Sequence, residues 1–546
     1  MRKNISMLVS AALVTAACFA CGGSISGGAD GGDAGRRDAG RDAGAADSGQ
    51  ADGAGYDTGD LPDASPDGAP SDAGTADGGP VAPDASTDSG ISDAGVQDAG
   101  PSDGGAWKTL FDMDHIRDQA TANCQFTNHR TTVKDFVSVD LWDVSYNSWE
   151  SIDGELKPIL IRGFASKPVS KSSNIPGVVQ AHGLGGYAKE ENATGPAALL
   201  GTFVIAYTGP GGGDPKVPAT QSEGLPASYN NGYRMFDTLK DVRGSWFWGH
   251  ATAAMRAETC LESRDEVDKT RLGITGFSAG SVVSLLSSGA DDRIKVAVPL
   301  SGTLAWDVAT LSPTAWQNEL LKGAGLTNAS TEWKILIDQM IAPSAVLANT
   351  KTKIMMMDGT TDEFFPLTAY MSSFGAIPGD EKRSSFAANF DHGCYNYSVI
   401  EKPQTIEDRA SLRATGGQRM WFGHWFGTDA QFSRLPAVPA VALTPGSGVT
   451  LVAATADDGG SNYDIENVTF WASNDASYNY FSQELDKGSG VWSKLIPMVI
   501  DPANTFYFVD VQYKTRELIP RQFSVSSAPA LPAGVVPKIR AMSNCQ

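Results

Sequence analysis

The stretch from Thr270 to Gly289, TRLGITGFSAGSVVSLLSSG, constrains this chain more than any other. Residues 272–275 are a short apolar run bounded by turn residues, which predicts a buried strand. Gly276-Phe277-Ser278-Ala279-Gly280 follows at once, and residues 281–286 continue as an apolar helical pattern. A strand, a Gly-x-Ser-x-Gly turn and a helix in immediate succession force the chain through a sharp bend. The bend pushes the Ser278 hydroxyl out at the edge of a sheet. The glycines are needed because a Cβ at either place would strike the neighbouring strand or helix. A Gly/Ser-rich turn without chemistry is the plain alternative. The strand before it and the helix after it favour a nucleophile at Ser278.

The front of the 546-residue chain reads as an export signal. Arg2 and Lys3 give a positive start, and residues 7–19 are apolar but too short to span a bilayer. Small residues precede Cys18 and Cys21. Cys21 is the expected lipid-anchor site, because Gly22-Gly23 opens a polar tract directly behind it. An ordinary cleaved signal with incidental cysteines is the rival. Residues 22–105 repeat Asp-Ala-Gly and hold almost no large apolar side chain, so a disordered linker is expected. As a random coil it would span about 50 Å. The tract carries 17 Asp and 3 Arg, a net −14 of the chain's −21. The acidity therefore belongs mostly to a solvated spacer. No basic cluster suggests nucleic acid. Export to an oxidising compartment would allow disulfides among Cys124, Cys260, Cys394 and Cys545, and their spacing does not choose the pairing. Nor does it resemble a zinc site.

From residue 106 the pattern changes to alternating strands and helices. Strands are expected at 137–146, 156–165, 177–181, 202–207, 294–300, 353–357 and 384–389, and a helix at 241–261. The strand at 177–181 runs into His182-Gly183-Leu184-Gly185-Gly186. A glycine loop there can bring backbone N–H groups onto a developing negative charge. The amides of Leu184 and Ala279 are the oxyanion-hole candidates, with His182 a structural residue of the loop. A tight turn without that role is the alternative. The glycine-rich turn after residue 207 lacks a P-loop lysine and, with the segment to Asn231, is expected to shape a substrate entrance. Trp246, Trp248 and His250 are expected in the core, and residues 316–348 are expected to be largely helical, part of a cap.

The strand at 353–357 ends in Asp358-Gly359-Thr360-Thr361-Asp362-Glu363. A carboxylate in a loop after a strand, downstream of the serine, is the expected triad acid, and Asp362 is the choice. Asp358 may cap the loop instead, with Glu363 an outside candidate. Asp391-His392-Gly393 ends the last strand. His392 is the expected base, taking the Ser278 proton and returning it to the leaving group. His424 sits in an aromatic helix pattern. The order Ser, Asp, His separates this chain from two other common serine-hydrolase orders.

These elements predict an α/β fold, a doubly wound and mostly parallel sheet. VDKTRLGITGFSAGSVVSLLSSGADDRIKVAVPLSG resembles the nucleophile region of the α/β-hydrolase superfamily, in its acetyl xylan esterase, dienelactone hydrolase and prolyl-oligopeptidase-like branch. HGLGG, DGTTDEFFP and DHG fall where that superfamily carries its oxyanion loop, acid and base. The resemblance runs from Ile159 to Phe426. It implies ester hydrolysis through an acyl-enzyme with no cofactor and no metal, on a small-molecule, polysaccharide or polyester substrate. Two departures are Gly280-Ser281, where many members have a glycine pair, and the long insertion at 302–350. A serine peptidase of the same fold and a non-catalytic surface-binding lipoprotein are the alternatives.

After a Pro/Ala/Val-rich linker expected at 436–445, short strand patterns suggest a β-rich, sandwich-like C-terminal domain over 436–546. Trp471, Tyr478, Tyr480 and Phe481 are expected in its core, with a sugar-binding face the alternative. The catalytic domain is expected over 106–430.

Overall fold

Strands whose every residue is apolar and bounded by turns have nowhere to sit but the middle of a covered sheet. Residues 109–228, 234–392, 412–458, 460, 462–474, 480–518, 520–532 and 534 are described by a computed structural model. The expected signal, Cys21, the acidic tract, Cys394, Cys545 and Tyr478 lie outside them.

The described chain begins with an antiparallel meander of β1 (Gln125–Lys134), β2 (Val137–Ile152) and β3 (Glu155–Pro168). The apolar strands follow: β4 (Ile175–Ala181), β5 (Phe203–Tyr207), β6 (Val267–Phe277), β7 (Ile294–Leu300), β8 (Lys353–Gly359) and β9 (Arg383–Ala387). They run parallel in the order β5-β4-β6-β7-β8-β9, with β3 closing antiparallel on β5. Alternation along the strands sorts their side chains into two cores. Val179, Ile205 and Ile274 share one with the helices Trp246–Glu262 and Ala279–Ala290. Val178, Val204 and Val298 share the other with Glu190–Leu200 and Gly417–Phe426. Helices thus cover both faces. Trp248 and His250 are fully buried and Trp246 nearly so, as expected of core residues.

The insertion after β7 folds into the helices Trp306–Ala309, Trp316–Gly323, Thr331–Gln339 and Pro343–Leu347. A Cys124–Cys260 disulfide fastens the segment before β1 to the end of the helix Trp246–Glu262.

The C-terminal strands are β10 (Ala440–Pro445), β11 (Thr450–Thr455), β12 (Tyr463–Ser473), β13 (Phe481–Glu484), β14 (Asp486–Lys487), β15 (Trp492–Ile496), β16 (Phe506–Thr515) and β17 (Gln522–Ser526). They make two layers, but one layer continues the sheet of β1 to β9. β17 pairs antiparallel with β9, and the order runs on as β9-β17-β16-β12-β13. The Phe386 N–H donates to Ser526 Oγ at 2.9 Å beside that junction. The second layer, β10-β11-β15-β14, sets Val452 and Ile496 against Val468, Phe470 and Val511 in a shared core. Part of the expected linker is itself strand β10. It pairs with β11 alone, so its proline sits on a sheet edge, where no ladder donor is lost. Among the described residues no helix is long and apolar enough to cross a membrane.

Candidate active site

β6 ends at Phe277, and Ser278 turns the chain into the helix Ala279–Ala290 with φ 60° and ψ −121°. A serine rarely adopts this backbone, and it persists only where the surroundings hold it. Here the Ser278 N–H donates to Leu300 O at 2.9 Å. The glycines at the turn answer to crowding. A Cβ on Gly280 would lie 2.3 Å from Ala181 O, and one on Gly276 2.5 Å from Gly280 O.

Ser278 Oγ is 3.0 Å from His392 Nε2, and His392 Nδ1 is 2.8 Å from Asp362 Oδ2. All three side chains are buried. Asp362 is aimed by its own loop, since Oδ1 accepts from the N–H groups of Phe364 and Phe365 at 2.8 and 2.9 Å. The His392 ring packs against those of Phe364, at 4.3 Å, and Phe277, at 4.9 Å. A hydroxyl, an imidazole and a carboxylate in this chain can make the hydroxyl nucleophilic: Nε2 takes its proton and Asp362 fixes the proton on Nδ1.

The rival carboxylates sit elsewhere. Asp358 Oδ1 accepts from the Gly359 N–H at 2.8 Å, a local loop bond. Burial, reinforced by the charge of Asp362, raises the Asp358 carboxyl well above the ordinary range. Glu363 Oε2 receives the His392 backbone N–H at 3.3 Å. Burial and then the charge of Asp362 raise Glu363 to about 7.

The loop after β4 runs beside the nucleophile: a Cβ on Gly183 would meet Phe277 O and Ser278 Cβ at 3.2 Å. Leu184 lines the cavity in front of Ser278. Ala279 is the first residue of its helix, so its N–H has no partner within that helix. Backbone N–H groups beside a nucleophile are the kind that receives a developing oxyanion. His182 braces the loop from behind. Its Nε2 accepts from the Gly209 N–H at 2.8 Å, and its Nδ1 donates to Gly183 O at 2.7 Å. That pattern requires the neutral ring, and burial lowers His182 to about 4. The glycine-rich turn after β5 therefore holds His182 in place. Its glycines are not among the residues lining the cavity, and the expected entrance segment runs on to Asn231, outside the described residues.

The cavity measures about 250 Å³. The insertion supplies Trp316 to its wall, stacked on Phe364 at 4.7 Å, so one helix of the expected cap does reach the site. The Trp316 N–H donates to Glu363 O at 3.2 Å, tying the insertion to the acid loop. Tyr187, Asn192 and Gln180 complete the polar lining; nothing local in the sequence marked the first two, whereas Gln180 is the lone amide in the apolar run of β4. Farther off, Tyr480 is buried as core and Trp471 packs against the first core. Among the described residues no cluster of His, Cys, Asp or Glu side chains is placed to hold a metal ion.

Residues 114–305 match the family model for acetyl xylan esterase. The match takes in the HGLGG loop at 182–186 and Ser278 and ends before Asp362 and His392. Among solved structures, an acetyl xylan esterase from Paenibacillus sp. R4 is similar at 20% identity over 51% of this chain and 86% of that one, with a TM-score of 0.41. Acetyl xylan esterase 1 from Thermoanaerobacterium sp. JW/SL YS485 is similar at 17% identity over 60% and 95%, also with a TM-score of 0.41. No curated protein matches the chain.

Proposed function

We propose that this chain, a serine carboxylic-ester hydrolase of the α/β-hydrolase fold, cleaves short-chain esters of hydroxylated compounds through an acyl-enzyme on Ser278. The hydrogen-bonded run from Asp362 through His392 to Ser278, opening on a small cavity, is the observation that carries this reading. Ser278 Oγ attacks the ester carbonyl as His392 Nε2 takes its proton. The tetrahedral oxyanion is received by the N–H groups of Leu184 and Ala279. His392 returns the proton to the departing alcohol, and water then repeats the cycle on the acyl-enzyme. A cavity of about 250 Å³ walled by Trp316 and Phe364 suits a small acyl group. The family matched at 114–305 is named for acetyl esters of a polysaccharide, which agrees in size and chemistry.

Ser278→Ala is expected to abolish release of p-nitrophenol from p-nitrophenyl acetate and labelling by a fluorophosphonate, with the melting temperature unchanged. Undiminished turnover in the folded variant refutes the assignment. The reading extends to the front of the chain: a lipid on Cys21 would hold the enzyme on the outer side of a bacterial membrane, with the acidic tract as tether. Cys21→Ser should move the protein from the membrane pellet to the soluble fraction. An unchanged distribution removes the anchor from the proposal without touching the chemistry.

A further inference from the structure

Gln180 stands at the next-to-last position of β4, two residues before the loop that carries Leu184. In register it lies between Ala206 on β5 and Thr275 on β6. A strand buried at every position has little use for an amide, and the other side chains of β4 are apolar. Gln180 is 4% exposed, and its Oε1 is shut from solvent without any hydrogen-bond partner.

The polar groups around it are committed elsewhere. The Thr275 hydroxyl donates to Val298 O at 2.6 Å and accepts from Gln418 Nε2 at 3.0 Å. Asn192 Oδ1 accepts from the Lys189 N–H at 2.9 Å. What Gln180 does face is the cavity of Ser278, on whose wall it stands with the small side chains of Ala188 and Ala206. An unsatisfied buried amide oxygen is a costly feature in a structural core and an ordinary one in a binding site.

We propose that Gln180 is a specificity-determining residue that reads a hydroxyl group on the ester substrate. A hydroxyl is the group this amide selects, because it both donates and accepts. The terminal torsion of glutamine is broad and nearly twofold, so the amide can turn either its oxygen or its nitrogen to the ligand. A hydroxyl pairs with both. A methyl group in its place leaves the amide oxygen buried and unpaired, which is how polar sites reject apolar analogues. The acyl part and the alcohol part of the ester are the two places for that hydroxyl, and the test separates them. The inference rests on Ser278 being the nucleophile of that cavity.

The test uses two substrate pairs in which a methyl replaces the hydroxyl. Ethyl 2-hydroxypropanoate against ethyl 2-methylpropanoate places the change in the acyl group, and 2-hydroxyethyl acetate against propyl acetate places it in the alcohol. Hydrolysis is followed by pH-stat for the wild type, Gln180→Met and Gln180→Glu. The wild type is expected to prefer the hydroxylated ester of one pair by tenfold or more in kcat/KM. Gln180→Met should cut that ester's kcat/KM about tenfold, or 1.4 kcal/mol, and leave its methyl counterpart within twofold. The pair that responds identifies the acyl or the alcohol side. The methyl ester serves as the internal check on folding, and Gln180→Glu, which keeps an acceptor, should retain part of the preference. No preference in either pair, or an equal fall of both members in a folded Gln180→Met, overturns the inference while ester hydrolysis stands. A wild type that cleaves none of the four esters overturns the hydrolase reading, and this inference with it.

Discussion

Replacing Glu363 with glutamine should flatten part of the pH dependence of this protein's stability. The Glu363 side chain is 6% exposed, with Oε1 unpaired and Oε2 receiving a long bond from the His392 N–H. Burial, and then the neighbouring Asp362 charge, raise its carboxyl to about 7 in the folded protein, against 4.5 ordinarily. The folded state therefore holds a proton that the unfolded chain has already released. Between pH 4.5 and 7 the native state binds more protons, so stability falls as pH rises, by about 1.4 kcal/mol per unit for this one group. The contribution is complete below 4.5 and gone above about 7, a total of about 3 kcal/mol. Glutamine is neutral throughout and of nearly the same shape, and its oxygen can still accept from His392. Urea melts of wild type and Glu363→Gln at half-unit steps from pH 4.5 to 8.5 give the difference directly. Other titrating groups cancel in that subtraction to first order. The variant should match the wild type near pH 4.5 and exceed it above pH 7.5 by a few kcal/mol. Two parallel curves would show that Glu363 ionises as an ordinary surface carboxylate, and the account of its burial would be wrong.

Two further outcomes follow from the same geometry. Asp362→Asn keeps an oxygen for the Phe364 and Phe365 N–H groups but turns an NH₂ toward His392 Nδ1, which inverts the tautomer. A kcat on p-nitrophenyl acetate lower by about 10⁴-fold, with KM little changed, is expected, and a loss under tenfold would remove Asp362 from the triad. Gly280→Ala places a Cβ 2.3 Å from Ala181 O, a backbone atom of the adjacent strand. The clash should cost about 1–3 kcal/mol in thermal stability and most of the ester hydrolysis, because relief requires moving the turn; a stable, fully active variant would contradict the crowding at the elbow.

What could be read from the sequence was what chemistry demands locally. A nucleophile on a strained turn needs a strand before it, a helix after it and glycines at fixed places, so residues 270–289 display all of these in a row. The strands were visible because full burial leaves a run such as Gly177–Ala181 nothing polar except what the site requires. Asp362 and His392 could be named from their positions at the ends of β8 and β9, although the choice among Asp358, Asp362 and Glu363 turned on where one loop aims each carboxylate. The HGLGG loop was legible as a backbone feature, whereas the support its histidine draws from Gly209 was not, since the two lie 27 residues apart.

The C-terminal region shows the opposite limit. Its short strands were apparent, but not that β17 would join β9 and carry the catalytic sheet onward, because an edge is defined by what happens to pair with it. Asn389, just past β9, exchanges two hydrogen bonds with the Tyr480 backbone, at 2.9 and 2.8 Å. The loop bearing His392 is thereby tied to the C-terminal layer, three residues from the base itself. Loosening that layer should disturb the position of His392 before it disturbs Ser278, which is held by β6, by β7 through Leu300 O and by the helix that it opens. Gln180 and Trp316 belong to the same class of fact. Gln180 stands out only as a lone amide in an apolar strand and Trp316 not at all, and each becomes part of the site when the sheet order places β4, the HGLGG loop and the first turn of the helix Trp316–Gly323 around one cavity. Reactivity is written in local backbone geometry, while selectivity is assembled from side chains that only the topology brings together.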